Sequence, residues 1–273
     1  MNTQLRQVSA AGNIILKGVG QIMLQNNAWT GLFFLAGICC GSWQMGIATI
    51  IAAITGTITA KLLKFPDAEI EMGWYGFNAA LVGVAFIYFF QPSLLLWIAL
   101  LTGSALSSVI HHFFFFFKFP SYTFPFIVVT WIFMAIASQF PDVFQQQTGT
   151  TAAAANDYLT LFTYSFGQVI FQENWCAGLF FIIGVLISRP IAAMYAIAGI
   201  AISAIIAFGM KEPVPDIFQG LLSYNAVLCA IAFAGNKKED FLLGLISVVL
   251  SVIIMMLMRQ MNLPALTFPF VAA

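Results

Sequence analysis

The stretch QIMLQNNAWTGLFFLAG at residues 21–37 recurs as QVIFQENWCAGLFFIIG at residues 168–184, displaced by 147 positions (168 − 21). The same displacement relates GFNAAL at 76–81 to SYNAVL at 223–228. Two landmarks at one displacement exclude a chance run. The chain therefore contains two copies of one unit.

A third landmark extends the repeat towards the end of the chain. The tetrapeptide TFPF stands at 123–126 and again at 267–270, displaced by 144 positions (267 − 123). The second copy has therefore lost three residues between the second and third landmarks. In a membrane chain, two weakly similar halves are typical of a transporter or channel whose site lies where the halves meet.

Composition indicates that the solvent of this chain is lipid. Apolar residues make up 61% of it and charged residues 7%, whereas soluble domains carry roughly 45–50% and 25%. The formal net charge is zero and no block of like charge occurs, so a nucleic-acid partner has no electrostatic support. We predict a membrane protein without a nucleic-acid partner.

Apolar runs long enough to cross about 30 Å of hydrocarbon predict five transmembrane helices in each copy. In the first copy they run near 28–42, 43–63, 73–90, 93–117 and 121–139. In the second copy they run near 175–188, 190–208, 219–235, 240–258 and from 263 onward. A shorter, more polar stretch precedes each set, near 12–25 and 160–172, and predicts a re-entrant half-helix. The predicted fold class is an all-α polytopic membrane protein made of two inverted repeats.

These runs predict three segments of the chain. The first repeat covers 1–140, an external linker covers 141–159, and the second, inverted repeat covers 160–273. The last span is predicted to be short, because only Val271 to Ala273 follow Phe270. No compact apolar run leads to a small-residue cleavage site near the start, so we expect no removable signal peptide.

The positive charges support an inverted arrangement, since an odd number of spans per copy turns the second copy over. With a cytoplasmic N-terminus, eight cations fall inside: Arg6, Lys17, Lys61, Lys64, Lys118, Arg189, Lys237 and Lys238. Only Lys211 and Arg259 fall outside. This split follows the positive-inside rule, and we expect a multi-pass protein of the inner (plasma) membrane.

Groups for covalent, metal or redox chemistry are scarce. The histidines are His111 and His112, and adjacent helix positions do not face the same way, so we expect an interfacial structural role for them. The four cysteines have no metal-ligand spacing, and we expect buried structural thiols at Cys39, Cys40, Cys176 and Cys229. The sequence therefore predicts no catalytic residue, no metal site, no cofactor and no enzymatic activity.

Neutral hydrogen-bonding residues are what the repeat preserves. The pairs are Gln21 with Gln168, Asn78 with Asn225, and Thr123 with Thr267. Pro125 and Pro269, placed inside a span, would each free the carbonyl one turn earlier. A row of such acceptors suits a small neutral solute rich in N–H groups, because an amide that loses water without replacement costs a few kcal/mol. The asparagines are expected to bond neighbouring backbone instead.

These residues resemble the urea transporter family. Its members carry a Gln-containing half-helix, a Gly-x-x-Gly-aromatic-Asn-x-x-Leu-Val-Gly element and a Leu-Pro-x-x-Thr-x-Pro-Phe element in two inverted repeats. Here the second element is GWYGFNAALVG at 73–83, and the third is LPALTFPF at 263–270. The resemblance covers nearly the whole chain. It implies a homotrimer in which each protomer passes urea down its gradient without coupling.

The resemblance also implies the residues of the pore. Its acceptors would be Gln21, Gln168, Thr123 and Thr267, with backbone carbonyls from Ile22 and Val169. Apolar clamps would hold flat urea face-on, with Leu24, Leu81 and Tyr224 on one side and Phe171, Leu228 and Phe77 on the other. Leu24 stands where the family has an aromatic residue, and the hydroxyl of Tyr224 predicts a looser or more polar clamp.

Other functions remain open at this point. An aquaglyceroporin needs two Asn-Pro-Ala boxes, which this chain lacks, and an ammonium channel places two pore histidines on separate helices. Related small neutral solutes, such as short amides, hydroxyurea, ammonia or water, fit the same residues. A membrane protein that transports nothing is a further alternative, against which the paired acceptors argue.

Overall fold

The computed structural model describes residues 3–147 and 157–273. By contacts between Cα atoms, the chain divides into two compact units, Met1–Gly149 and Thr150–Ala273. Within the described ranges the regular structure is helical, apart from one isolated bridge between Phe90 and Gln146. Residues 148–156 of the predicted linker and the side chain of Arg6 lie outside the described residues, and the predicted segment boundaries stay predictions.

Seven helices are described in each unit. In the first unit they are α1 (Thr3–Gln21), α2 (Ala28–Gly41), α3 (Trp43–Leu62), α4 (Asp67–Glu71), α5 (Trp74–Phe89), α6 (Leu94–Phe116) and α7 (Phe124–Ala137). In the second they are α8 (Tyr158–Gln168), α9 (Trp175–Ser188), α10 (Pro190–Gly209), α11 (Val214–Phe218), α12 (Tyr224–Ala232), α13 (Lys238–Gln260) and α14 (Phe268–Ala272).

The helix bounds repeat with the displacements of the sequence. Helices α2, α3 and α4 return 147 positions later as α9, α10 and α11, and α6 returns 144 positions later as α13. The three lost residues therefore lie between the start of α12 and the start of α13, where α12 is nine residues long against sixteen in α5.

Main-chain torsions repeat as well. Ten described residues have a positive φ, and they form five pairs at the same displacements. The pairs are Leu24 with Phe171, Lys64 with Lys211, Gly73 with Gly220, Lys118 with Asn262, and Tyr122 with Leu266. Because L residues rarely adopt this region, the pairing shows that both units follow one backbone plan at their turns.

Four described helices are long and apolar enough to cross a membrane: α3, α6, α10 and α13. Helices α2, α5, α7 and α9 are apolar but shorter. The chain is accordingly a multi-pass membrane protein. Five spans per copy and the inverted arrangement stay predictions.

Several helices differ from their predicted bounds. Helix α1 begins at Thr3 and ends at Gln21, earlier at both ends than the half-helix predicted near 12–25. Helix α12 ends at Ala232, because a turn at 233–237 replaces the last part of the span predicted near 219–235. The short helices α4 and α11 were not predicted.

Two glycines set the distance between each half-helix and the next helix. A Cβ on Gly31 would lie 1.7 Å from the carbonyl oxygen of Leu16, and one on Gly178 would lie 1.8 Å from that of Thr163. Such contacts are impossible, so only glycine allows α2 and α9 to approach the preceding helices this closely.

The prediction of four buried thiols is wrong for two of them. Cys229 is buried and Cys176 is half-buried, whereas Cys39 and Cys40 are exposed in the single chain. An apolar helix in lipid is hydrophobic all round, so an apolar run does not show which of its residues face the interior.

Candidate functional site

The two predicted glutamines lie at the ends of α1 and α8. In the first unit the N–H of Leu24 bonds the carbonyl of Gln21 at 2.9 Å, and the N–H of Gln25 bonds that of Gly20 at 3.1 Å. This is a Schellman ending with Leu24 in the left-handed position at φ 59°. The ending brings the predicted acceptor Gln21 and the predicted clamp Leu24 into one turn.

The second unit repeats this ending. The N–H of Phe171 bonds the carbonyl of Gln168 at 3.2 Å, and the N–H of Gln172 bonds that of Gly167 at 3.0 Å. Phe171 takes the left-handed position at φ 55°. Glycine is the usual residue there, and any other costs roughly 1–2 kcal/mol. A large apolar side chain kept at this cost in both units points to a role for the side chain itself.

The turns also leave carbonyl groups available. In the described residues, the backbone hydrogen bonds of these turns leave the carbonyls of Ile22 and Val169 without a protein donor. Both residues were predicted to supply acceptors. The observation is consistent with those roles, which stay predictions.

Two residues that the sequence analysis did not select hold these turns. The side-chain amide of Gln25 donates to the carbonyl of Met23 at 2.8 Å, and that of Gln172 donates to the carbonyl of Ile170 at 3.0 Å. Both side chains are buried. The sequence did contain a signal for these residues, since Gln25 and Gln172 are the same amino acid at equivalent positions of the two stretches that define the repeat.

Gln21 is anchored to the segment before α5. Its amide nitrogen Nε2 donates to the carbonyl of Met72 at 3.3 Å. That bond uses a donor of the side chain and leaves its oxygen as an acceptor. Gln21 and Gln168 are both buried, as the cost of exposing an amide to lipid requires.

Asn78 and Asn225 are structural, as predicted. Asn78 accepts from the N–H of Phe126 at 3.1 Å and donates to the carbonyl of Tyr122 at 3.0 Å. Asn225 accepts from the N–H of Phe270 at 3.1 Å and donates to the carbonyl of Leu266 at 3.3 Å. Each asparagine therefore ties its own helix to the start of the TFPF helix. The two bonds fix the positions of Thr123 and Thr267, both buried.

The predicted role of the prolines is wrong. Pro125 and Pro269 lie in the first turn of α7 and α14, not inside a span. Proline costs nothing there, because a first-turn N–H has no helical partner. The carbonyls four residues earlier are not freed either, since Ser121 accepts from Phe124 at 2.9 Å and Ala265 accepts from Phe268 at 3.0 Å.

The clamp residues on α5 and α12 are packed differently in the two units. The hydroxyl of Tyr224 donates to the carbonyl of Leu266 at 2.6 Å, so it is fixed to the start of α14. The expectation of a looser or more polar clamp stays a prediction. Phe77 has no hydroxyl, and the ring of His111 packs edge-on against it at 5.5 Å between centroids. Leu81 and Leu228, one turn further on, are fully buried.

The two histidines belong to separate hydrogen-bonded pairs. His111 Nδ1 lies 2.8 Å from the hydroxyl of Ser121, and His112 Nδ1 lies 2.9 Å from the hydroxyl of Tyr75. They therefore do not share one site. In the described part of the chain, no group of three or more His, Cys, Asp or Glu is placed to hold a metal ion.

Helix packing gathers the predicted residues into two sets. Helix α5 packs against α1 and α7, and α12 packs against α8 and α14. The first set contains Gln21, Ile22, Leu24, Phe77, Leu81 and Thr123. The second contains Gln168, Val169, Phe171, Tyr224, Leu228 and Thr267. Each unit thus combines polar acceptors, an apolar residue in a left-handed turn, and two apolar residues one helical turn apart.

Comparison with known proteins finds a matching family and several similar sequences. A family profile described as Urea transporter matches residues 13–273. Urea transporter 1 of Rattus norvegicus is 24% identical over 238 residues, which cover 81% of this chain and 62% of the relative. Urea transporter 1 of Ovis aries is 24% identical over 284 residues, covering 95% of this chain and 74% of the relative. The chain spans less than two thirds of the rat protein.

Proposed function

Because the chain belongs to the urea transporter family, we propose that it passes urea across a membrane down the urea gradient, without coupling to another solute. The observation that carries the proposal is the paired helix ending at Gln21 and Gln168. In each unit this ending places a glutamine amide, an unpaired carbonyl and a left-handed apolar residue within four consecutive positions. Family membership also favours a transporter over an enzyme.

Urea is a flat molecule with four N–H donors and one carbonyl. Each N–H that leaves water without a new acceptor costs on the order of 1–3 kcal/mol. The side-chain oxygens of Gln21 and Gln168, the carbonyls of Ile22 and Val169, and the hydroxyls of Thr123 and Thr267 supply acceptors in both units. These acceptors carry no charge, so no fixed charge among them attracts ions.

Besides hydrogen-bond acceptors, a path for urea needs apolar walls, which the apolar side chains would supply. Leu24 and Phe171 are half-buried at the turns, while Leu81 and Leu228 lie deeper. Apolar walls on both faces of a flat solute leave only its edge free for hydrogen bonds, which favours urea over rounder solutes such as glycerol. That the two sets face one another across a single path is a prediction from the repeat.

The remaining features of the proposal come from the resemblance and the loop charges. We propose a homotrimer in the inner (plasma) membrane, with the N-terminus in the cytoplasm and the lipid bilayer as its surroundings. The relatives named above are urea transporters by name, and their substrate is taken over here as part of the proposal.

The test is stopped-flow light scattering on proteoliposomes that contain the purified chain. An imposed urea gradient is compared with glycerol, with methylurea and with protein-free vesicles. Fast, non-saturating urea entry with slow glycerol entry is the expected result. Equal entry of short amides would identify a channel for small neutral solutes in general, and no entry of any solute would refute transport.

A matched pair of variants ties the flux to the proposed acceptors. Gln21→Leu removes a buried amide and should sharply reduce urea entry. Gln91→Leu, at an exposed loop position, should leave the flux unchanged. A Gln21→Leu protein that folds, assembles and conducts urea like the parent would remove Gln21 from the pore.

A further inference from the structure

The repeat allows one carboxylate position to be compared between the two units. Glu69 on α4 corresponds to Asp216 on α11, displaced by 147 positions. In the second unit Asp216 forms an ion pair with the guanidinium of Arg259, near the end of α13. The position of the first unit that corresponds to Arg259 is Phe115, displaced by 144. The first unit therefore keeps the carboxylate without the guanidinium.

Glu69 has a neutral partner instead of a cation. Its carboxylate accepts a hydrogen bond from the hydroxyl of Tyr75, which also lies 2.9 Å from Nδ1 of His112. Glu69 is only 6% exposed. The described residues contain one ion pair, that between Asp216 and Arg259, so Glu69 has no such neutralising contact there. A buried, charged carboxylate without a cation beside it is energetically costly.

Space for a cation lies beside Glu69. A cavity of about 620 Å³ is lined by Glu69, His112 and Lys118 and by the aromatic rings of Phe115, Phe116 and Phe119. Two of these residues, Glu69 and Phe115, occupy the positions of Asp216 and Arg259. The aromatic rings suit a flat, delocalised cation, because such a cation stacks on aromatic faces and binds a carboxylate with two parallel hydrogen bonds.

From this comparison we propose that the cavity beside Glu69 binds a small cation of the guanidinium class. The ligand supplies from solution the group that Arg259 supplies within the second unit. Lys118 is exposed and opposes binding by charge repulsion, so it limits the affinity rather than completing the site. The proposal concerns a site separate from the predicted pore residues, and it stands or falls independently of urea transport.

The experiment uses the purified full chain in detergent at pH 8. Thermal unfolding and titration calorimetry are followed with millimolar methylguanidinium chloride, which is too dilute to denature. Sodium and tetramethylammonium chlorides at the same ionic strength serve as controls. We expect a saturable rise of the melting temperature with methylguanidinium alone.

Three variants locate the site. Glu69→Gln should weaken methylguanidinium binding at least tenfold, whereas Asp216→Asn, at the corresponding position of the second unit, should leave it unchanged. Phe115→Arg places a guanidinium in the chain where Arg259 stands in the other unit. This variant should melt at a higher temperature than the parent and should no longer respond to the ligand.

The proposal is overturned if the parent shows no saturable response, or if tetramethylammonium stabilises it equally. It is also overturned if Phe115→Arg responds like the parent, a result that remains available if Glu69→Gln fails to fold. Lys118→Gln should tighten binding, and weaker binding in that variant would contradict the assigned position of the cation.

Discussion

Replacing Leu24 by glycine should leave the protein about as stable as before while changing which solutes it passes. The φ of Leu24 is 59°, a region that costs an L residue roughly 1–2 kcal/mol. Glycine removes that strain, but its greater freedom in the unfolded chain costs about 0.5–1 kcal/mol. Removing the half-buried leucine side chain costs a further ~1 kcal/mol. The free energy of unfolding should therefore change by no more than about 1 kcal/mol.

Inside a helix, alanine gives a more stable protein than glycine. At residue 24 we expect the opposite order of stability. Leu24→Ala loses the same buried surface and keeps the left-handed strain, so it should be about 1 kcal/mol less stable than Leu24→Gly. Both variants remove the proposed clamp. The ratio of urea to methylurea entry into proteoliposomes should fall in both, and Phe171→Gly and Phe171→Ala should behave in the same way.

Thermal and denaturant unfolding in detergent measure the first effect, and stopped-flow light scattering measures the second. An alanine variant more stable than the glycine variant would refute the left-handed geometry at residue 24. Unchanged selectivity in both variants, with the fold intact, would refute the clamp. The two conclusions are independent because they rest on different measurements.

Three further predictions follow from the hydrogen bonds and the packing. Tyr224→Phe removes the hydroxyl donor to the carbonyl of Leu266 but leaves the amide donor of Asn225 in place. The free energy of unfolding should therefore fall by only about 1 kcal/mol, and a fall of several kcal/mol would contradict this. Asn78→Leu removes both bonds to the start of α7 and should lower stability by about 2–4 kcal/mol, measured by the same unfolding assay, and a parent-like melting curve would show that those bonds are unimportant. Gly31→Ala should prevent assembly of the folded protein, seen as aggregation on size-exclusion chromatography, because its Cβ has no room beside Leu16; a monodisperse Gly31→Ala protein would show that the two helices can move apart.

Some apolar helices could be predicted from the sequence because two signals agreed at their ends. Helix α9 has the predicted bounds, since an apolar run follows Asn174, whose side chain caps the helix by accepting from the N–H of Ala177. Helix α3 begins as predicted after Ser42, which caps it in the same way. The five-residue helices α4 and α11 escaped prediction because they are too short to show a helical period.

The candidate site was predicted in its residues but only partly in its contacts. The repeat was enough to select Gln21 and Gln168, and it also displayed Gln25 and Gln172, which were overlooked. The role of Pro125 was wrong although a signal existed, since proline one or two positions after a threonine is typical of a helix start. The bond from Tyr224 to Leu266 joins residues 42 positions apart, and no local pattern reports such a contact.

The paired left-handed turns show that the two units share backbone torsions at positions where most of their residues differ. The corresponding residues are leucine and phenylalanine in one pair, lysine and asparagine in another, and tyrosine and leucine in a third. The main chain nevertheless has a positive φ at every one of these positions. The two units therefore share the path of the backbone at these turns, where their side chains differ. Between the two copies the backbone torsions of these turns agree where the residue identities do not, so the main chain reveals the repeat at positions where the sequence does not.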